Sequence, residues 1–257
     1  MSDPDKITGD TVKADFNAIE AVIHYTRAAH DLGLWESERL LLERHFADRD
    51  GPLLEAGCGA GRVAVALHRL GYRAITAFDF APEMVDQARS LAREREAAGI
   101  AFLEADAVGL AENPAIPADH FSGALFLFNG LGQIPGRDRR RRALTGIREK
   151  CRAEARLLFT THDRDANPVE RAQWKREAAL WARGECDRRL AEFGDRYFVH
   201  EHGRTFMHLP DQAEVRADLA ATGWIHEWDA MRDEIARERR AVRDFSDNCR
   251  FWLAKKS

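Results

Sequence analysis

The chain has 257 residues and a net charge of −4, with 45% hydrophobic and 32% charged residues, 6 Trp and 14 Phe. That is enough apolar side chain to bury a core, which excludes wholesale disorder, and 18 Gly with 8 Pro exclude a fibrous or low-complexity chain. Its longest apolar run, 121–128, is too short to span a bilayer, and the acidic first residues show no secretory signal.

Taken in order, residues 1–10 read as a loose tail. Phe16, Ile19, Val22, Ile23 and Ala29 recur at a helical period and predict a helix over 14–30. A second helix is predicted over 35–46, and 48–52 is a loop by composition. The rhythm then changes to short strands alternating with helices: strand 53–55, helix 62–70, strand 74–78, helix 82–98 with Pro82 at its first position, strand 100–103, the apolar strand 121–128, helix 138–151 and strand 156–161. Such alternation predicts a parallel, doubly wound α/β sheet. Asn167-Pro168 opens a further helix that Gly184 closes. A hairpin is predicted over 197–209, turning at His202-Gly203. Asp211 caps a helix ending at Gly223, and two strands follow near 224–231 and 248–254.

The four cysteines, at 58, 151, 186 and 249, lack the spacing of a zinc or iron–sulfur site, so no metal is expected. Reduced thiols in a cytoplasmic protein are the expectation. Charge is uneven: 137–156 holds nine basic and three acidic residues, net +6, inside a remainder of −10.

The most informative segment is Leu53-Leu-Glu-Ala-Gly-Cys-Gly-Ala-Gly-Arg62, a strand, three alternate glycines and a helix. Such a turn lets backbone approach a ligand without Cβ interference, above the free N–H groups of a helix start. It is not a dinucleotide fingerprint, because Arg62 stands where the third glycine belongs, and no Lys-Ser/Thr follows Gly61 as a phosphate loop needs. The glycines alone also suit a turn with no ligand. Asp79, at the end of the next strand, can take both ribose hydroxyls of a nucleoside, or can be a solvated strand end. Asp106 follows the third strand, where a carboxylate can accept from an adenine amino group.

Together these residues resemble the class I S-adenosylmethionine-dependent methyltransferases. E-A-G-C-G-A-G is similar to the family's first motif, A-F-D-F-A-P-E-M to its second, E-A-D-A to its third, and F-L-F-N-G-L-G to the segment after the fourth strand. Ala81 stands where the family usually has Ser, which removes a cap worth about 1 kcal/mol of helix stability. The resemblance implies a seven-stranded, mostly parallel sheet in the order 3-2-1-4-5-7-6, strand 7 antiparallel. It also implies one domain: a helical extension (1–48), a cofactor core (50–161), a helix-plus-hairpin insertion or lid (162–210), and a final helix and strands (211–257). It places S-adenosylmethionine, and its product S-adenosylhomocysteine, against Glu55, Gly57, Cys58, Gly59, Gly61, Asp79, Phe80, Met84, Asp106, Ala107, Phe128 and Asn129.

The acceptor is read by elimination. The segment after strand 4 lacks the [DNS]-P-P-[YFW] of amino-purine and amide methyltransferases and the paired glutamates of arginine methyltransferases. A small molecule is expected; an RNA- or protein-directed enzyme, or a non-catalytic cofactor binder, is the alternative. An open basic groove in the insertion would favour a macromolecule, and a closed aromatic pocket a small acceptor. Tyr25, Asn129, His162 and Arg164 are the acceptor-side candidates, against plain packing for Tyr25, an Asx turn for Asn129 and a polar loop start for the other two. His24 is expected on a solvated face. His200, His202 and His208 are expected to be surface or core residues of the hairpin. Arg137 and Arg140, in line with the apolar face of their helix, would favour an anionic acceptor if they reach the site; Arg139 and Arg142 should be solvated. A monomer or homodimer fits equally.

Overall fold

The computed structural model describes residues 6–200 and 203–257. Nine strands form two sheets among them: β1 (Leu53–Ala56), β2 (Ile75–Asp79), β3 (Ile100–Glu104), β4 (Phe121–Phe126), β5 (Cys151–Thr161), the separate hairpin β6 (Asp195–His200) and β7 (Gly203–His208), then β8 (Trp224–Met231) and β9 (Arg250–Lys256). The large sheet runs β3-β2-β1-β4-β5-β9-β8, and β9 lies antiparallel to both neighbours. This is the expected order, with β8 and β9 as sixth and seventh strands. Leu53, Leu125 and Leu158 face one layer, while Leu54, Phe126 and Leu157 face the other. A continuous apolar run in the sequence is thus a strand covered on both faces.

Helices α2 (Ile19–Asp31), α3 (Glu36–His45), α4 (Arg62–Arg69) and α5 (Pro82–Glu94) cover the first face. The second is covered by α6 (Arg137–Lys150) and α8 (Gln212–Ala221). Among the described residues, no helix is long and apolar enough to cross a membrane.

The elements depart from expectation where capping chemistry is silent in the sequence. The predicted first helix is two, α1 (Gly9–Phe16) and α2, parted at Ala18, whose backbone is extended (φ −66°, ψ 140°). Thr8 and Thr11 cap α1 reciprocally and start it earlier than expected. The tail is held from Ile7 on: Ile7 packs with Val12 and Phe206, and its N–H donates to the Arg189 carbonyl (3.0 Å). Helix α5 stops at Glu94 because Glu96 turns left-handed (φ 53°) and the Ala97 N–H returns to the Ala92 carbonyl (2.9 Å). No glycine marks that stop. Strand β5 starts at Cys151 through an irregular stretch in which Glu154 has φ 66°. Two short helices, α9 (Arg232–Ile235) and α10 (Arg240–Phe245), join β8 to β9 and were not anticipated.

The insertion is α7 (Pro168–Ala182), capped by Asn167, and the hairpin. On the hairpin, Phe206 is buried under α1, Met207 is buried on the opposite face, and Val199 and Phe198 are exposed. The Tyr197 hydroxyl donates to Asp15 of α1 (2.7 Å). His202 and the predicted turn at 202 lie outside the described residues.

A buried ion pair joins the N-terminal helices to the core. Both guanidinium nitrogens of Arg62, the first residue of α4, donate to Glu38 of α3 at 2.6 Å. Glu38 is fully buried and also accepts the Trp35 N–H (2.9 Å). Trp35 lies across the guanidinium, 4.7 Å from its ring centre. Removing one partner leaves a desolvated charge behind. Glu38→Ala is therefore expected to lower unfolding free energy by about 3–5 kcal/mol, read by urea denaturation.

Candidate active site

The glycine turn after β1 is a backbone device. Gly57, Gly59 and Gly61 all have left-handed φ (62°, 51° and 84°), which glycine adopts without a Cβ penalty. A Cβ on Gly57 would lie 2.9 Å from the Phe126 ring. At Gly59 nothing lies within 4 Å, so its backbone faces open space. Gly61 does different work: its Cβ would lie 3.0 Å from the backbone of Ala88, so it lets α4 pack on α5 and does not line the cavity.

Above this turn is a cavity of about 460 Å³. Its walls include Glu55, Gly57, Cys58, Gly59, Asp79, Phe80, Met84, Asp106, Ala107 and Phe128. Asp79 joins the first two loops, accepting N–H bonds from Gly59 (2.9 Å) and Ala81 (3.0 Å). Burial raises its pKa, and the N–H groups of Ala81, Gly59 and Phe80 oppose that rise. The second bond also serves the start of α5, where Ala81 offers no capping side chain. Asp106 spends one oxygen on the Val108 N–H (2.9 Å) and turns the other toward Arg139 (3.8 Å).

Glu55 is the least satisfied group of this cavity. It is 3% exposed, and its Oε2 has no hydrogen-bond partner among the described residues. Burial pushes its carboxyl up to about 8, against the pull of Arg62. An orphaned acidic oxygen in a cavity wall fits an ammonium group. With the glycine backbone and two carboxylates on successive strand ends, the residues present suit S-adenosylmethionine, whose amino acid and nucleoside ends need such partners.

A second cavity, of about 1040 Å³, adjoins the first. Tyr25, Phe128, Gln133 and Phe245 line both. Burial pushes the Tyr25 phenol up to about 12, despite a hydrogen bond with Gln133, so it stays a neutral hydroxyl. Asn129 and His162 line the second cavity only. Phe128 and Asn129 are consecutive non-glycine residues with left-handed φ (57° and 60°), a strained turn that ends β4 two residues before the predicted limit. Thr160 supports it by accepting the Asn129 N–H (2.8 Å). Asn129 Nδ2 and His162 Nε2 are 3.3 Å apart. Burial lowers the His162 pKa, so the ring is a neutral imidazole.

Several expectations do not hold. Arg164 lines neither cavity. Its guanidinium turns back to Asp211 (2.5 Å), Glu214 (3.0 Å) and the Leu209 carbonyl (2.9 Å), pinning the start of the insertion to α8. Arg137 and Arg140 do not reach the cavities either. Arg137 pairs with Asp218 (2.7 Å), and buried Arg140 pairs with Glu192 (2.9 Å) and Glu214 (3.3 Å). Arg139 is exposed, as expected, and also borders the first cavity. His24 is not on a solvated face: it stacks on Phe245 (4.7 Å between centroids) at the second cavity. His208 is buried between Asp195 (2.8 Å) and Glu214 (2.7 Å). Burial opposes charge there, but the two carboxylates hold its pKa above the usual histidine range. Burial would raise the Glu214 pKa, yet His208, Arg164 and Arg140 together push it down to about 2. Glu192, Asp195 and His208 have metal-like spacing, within 4.8 Å, yet each is engaged by these partners. Side-chain contacts of His200 lie outside the described residues.

Gln133, Trp174 and Phe245 were missed. Gln133 is within reach of a sequence reading, since it sits in the segment after β4. Phe245 carries no such signal, lying on a six-residue helix remote from every motif.

Comparison with known proteins agrees with this geometry. Residues 53–154 match a family model described as a methyltransferase domain. Over that segment the chain is similar to the methyltransferase domain family. A malonyl-[acyl-carrier protein] O-methyltransferase from Paenibacillus sp. (strain JDR-2) is 30% identical over 146 residues, 56% of this chain and 49% of that protein. The chain thus spans about half the length of this relative. A structure of SAM-dependent methyltransferases from Methanosarcina mazei superposes with a TM-score of 0.66 at 15% identity, over 87% of this chain and 98% of that one. The cyclase SpnF does so with a TM-score of 0.66 at 17% identity, over 98% and 97%. At these identities the likeness shows the class I methyltransferase fold.

Two outcomes are expected. Gly57→Ala must accommodate both a positive φ and the Phe126 ring, costing about 1–2 kcal/mol of stability, and calorimetric titration should show weakened binding of S-adenosylhomocysteine. Glu55, with its folded pKa raised from 4.5 to about 8, contributes stability that is present at low pH and is lost as pH rises from 4.5 through about 8. Thermal melts of the ligand-free protein should fall over that window, and Glu55→Gln should flatten the fall.

Proposed function

We propose that this protein transfers a methyl group from S-adenosylmethionine to a small-molecule acceptor, as a single methyltransferase domain. The observation that carries this reading is the pair of adjoining cavities with one shared wall. The first has the glycine turn, Asp79, Asp106 and the orphaned Glu55 oxygen. The second is bordered by the insertion, through Trp174 of α7 and Thr205 and Met207 of the hairpin. Its aromatic lining supports a small acceptor over an RNA or protein, for which a basic groove would be expected. The four cysteines are unpaired, which supports a cytoplasmic setting.

The cofactor supplies an activated methyl on a sulfonium, so the protein's task is alignment and exclusion of water. Glu55 would hold the amino group, Asp79 the ribose and Asp106 the adenine amine. Phe80 and Met84 would flank the base. Tyr25, Phe128, Gln133 and Phe245, common to both cavities, would frame the passage through which donor and acceptor meet. The insertion would close the acceptor side against solvent.

Isothermal titration with S-adenosylhomocysteine tests this. Saturable one-to-one binding is expected, weakened at least tenfold by Asp79→Ala. Near pH 7 binding should release protons from Glu55, seen as a dependence of the heat on buffer ionisation enthalpy that Glu55→Gln abolishes. Absence of binding by the wild-type protein would sink the proposal.

A further inference from the structure

The second cavity offers hydrogen-bond acceptors and negative charge. Asn129 is 3% exposed, and its Oδ1 has no partner among the described residues. Asn248 Oδ1, on the same cavity, is likewise buried and unpartnered. His162 lies beside both residues. Asn129 Nδ2, an amide nitrogen that can only donate, lies 3.3 Å from His162 Nε2. Nε2 then carries the lone pair toward Asn129 and accepts from Nδ2, which leaves the buried Oδ1 of the amide without a donor.

The charges around these groups agree. Asp163, Glu170, Asp233, Glu234 and Asp247 line the cavity, and Arg196 is its one Lys or Arg among the described residues. Asp163 is neutralised by Arg250 (2.8 Å). Glu234 accepts the Met231 N–H (2.8 Å). Glu170, Asp233 and Asp247 have no ion-pair partner among the described residues. Arg196 is already committed, 4.6 Å above the Trp174 ring centre and 3.4 Å from Glu177. In the basic island of α6, which would have favoured an anion, Arg137, Arg140 and Arg141 are spent on Asp218, Glu192 and Glu214, and no basic residue of α6 lines this cavity.

We propose that the methyl acceptor is an amine on an aromatic or alicyclic body, with its N–H groups on Asn129 Oδ1 and Asn248 Oδ1 and its charge matched by the carboxylates at the cavity mouth. This rests on the methyltransferase reading above and names the acceptor class for it. An unpaired buried acceptor oxygen recovers its lost hydrogen bond from an N–H donor, whereas a carboxylate would add repulsion to an unmet bond. Tyr25, Phe128 and Phe245 add an aromatic lining suited to such a body. The bound ammonium first passes one proton to the lone pair of His162 Nε2, and from there to solvent. The freed amine lone pair then forms the new N–C bond as the methyl's bond to the donor sulfur breaks, giving an N-methylated ammonium and a neutral thioether.

Three probes that share one skeleton test this: phenethylamine, 2-phenylethanol and phenylacetate. Each is titrated into protein saturated with S-adenosylhomocysteine. The amine is expected to bind at least tenfold more tightly than either of the others. Glu170→Gln combined with Asp247→Asn should weaken the amine about tenfold, as loss of two charges near a solvated site implies, and leave S-adenosylhomocysteine affinity unchanged. Equal or tighter binding of the alcohol or the carboxylate, no binding of the amine, or an unaltered amine affinity in the double variant would each overturn the proposal. Failure of S-adenosylhomocysteine itself to bind would instead strike the methyltransferase reading, so the two failures are distinct.

Discussion

The site depends on how closely the backbone after β1 approaches the rest of the sheet. Gly57 sits where any Cβ would press into the Phe126 ring, and Gly61 where one would press into α5. These two approaches let β1, β4 and the α4–α5 pair converge without a gap, and the first cavity opens where they meet. The Gly59 N–H then finds Asp79. A single carboxylate thereby ties the first loop to the second, and burial that would otherwise neutralise it is opposed by three backbone N–H groups. The geometry of both loops rests on the same set of bonds.

Charge organises the remainder. Arg62 and Glu38 lock the N-terminal helices onto the glycine loop, which brings Tyr25 over the cavity and leaves Glu55 close to, but not paired with, a guanidinium. On the opposite side, Arg140, Arg164 and His208 meet Glu192, Asp195, Asp211 and Glu214 in one network. That network fastens β7 and the start of the insertion to α6 and α8. It also accounts for much of the +6 stretch: Arg137, Arg140 and Arg141 are structural counter-ions that line neither cavity. The second cavity has an acidic, aromatic lining.

Local patterns were legible wherever one backbone feature dictates them. The alternate glycines, Asp79 and Asp106 lie within a few residues of strand ends, and a parallel sheet puts successive strand ends on one side. Their convergence therefore follows from the strand–helix alternation. Element limits were less legible where no capping residue marks them, as at Ala18, Glu96 and Phe128. The acceptor side was only partly legible. Asn129 and His162 follow central strands and do face the second cavity. Arg164, two residues beyond His162, does not, because acidic partners from α8 outcompete the cavity for it.

By itself the sequence determined the strand–helix alternation and the glycine turn, because strand period, turn glycines and helix caps act over a few residues; the strand order came only with the family resemblance. Only the tertiary structure decided which arginines are spent and which carboxylates stay free. It alone brought Phe245 and His24 to the acceptor cavity, from helices more than 200 residues apart in the chain. Pairing of charges and stacking of rings depend on distances between elements remote in sequence, and no local pattern encodes those distances.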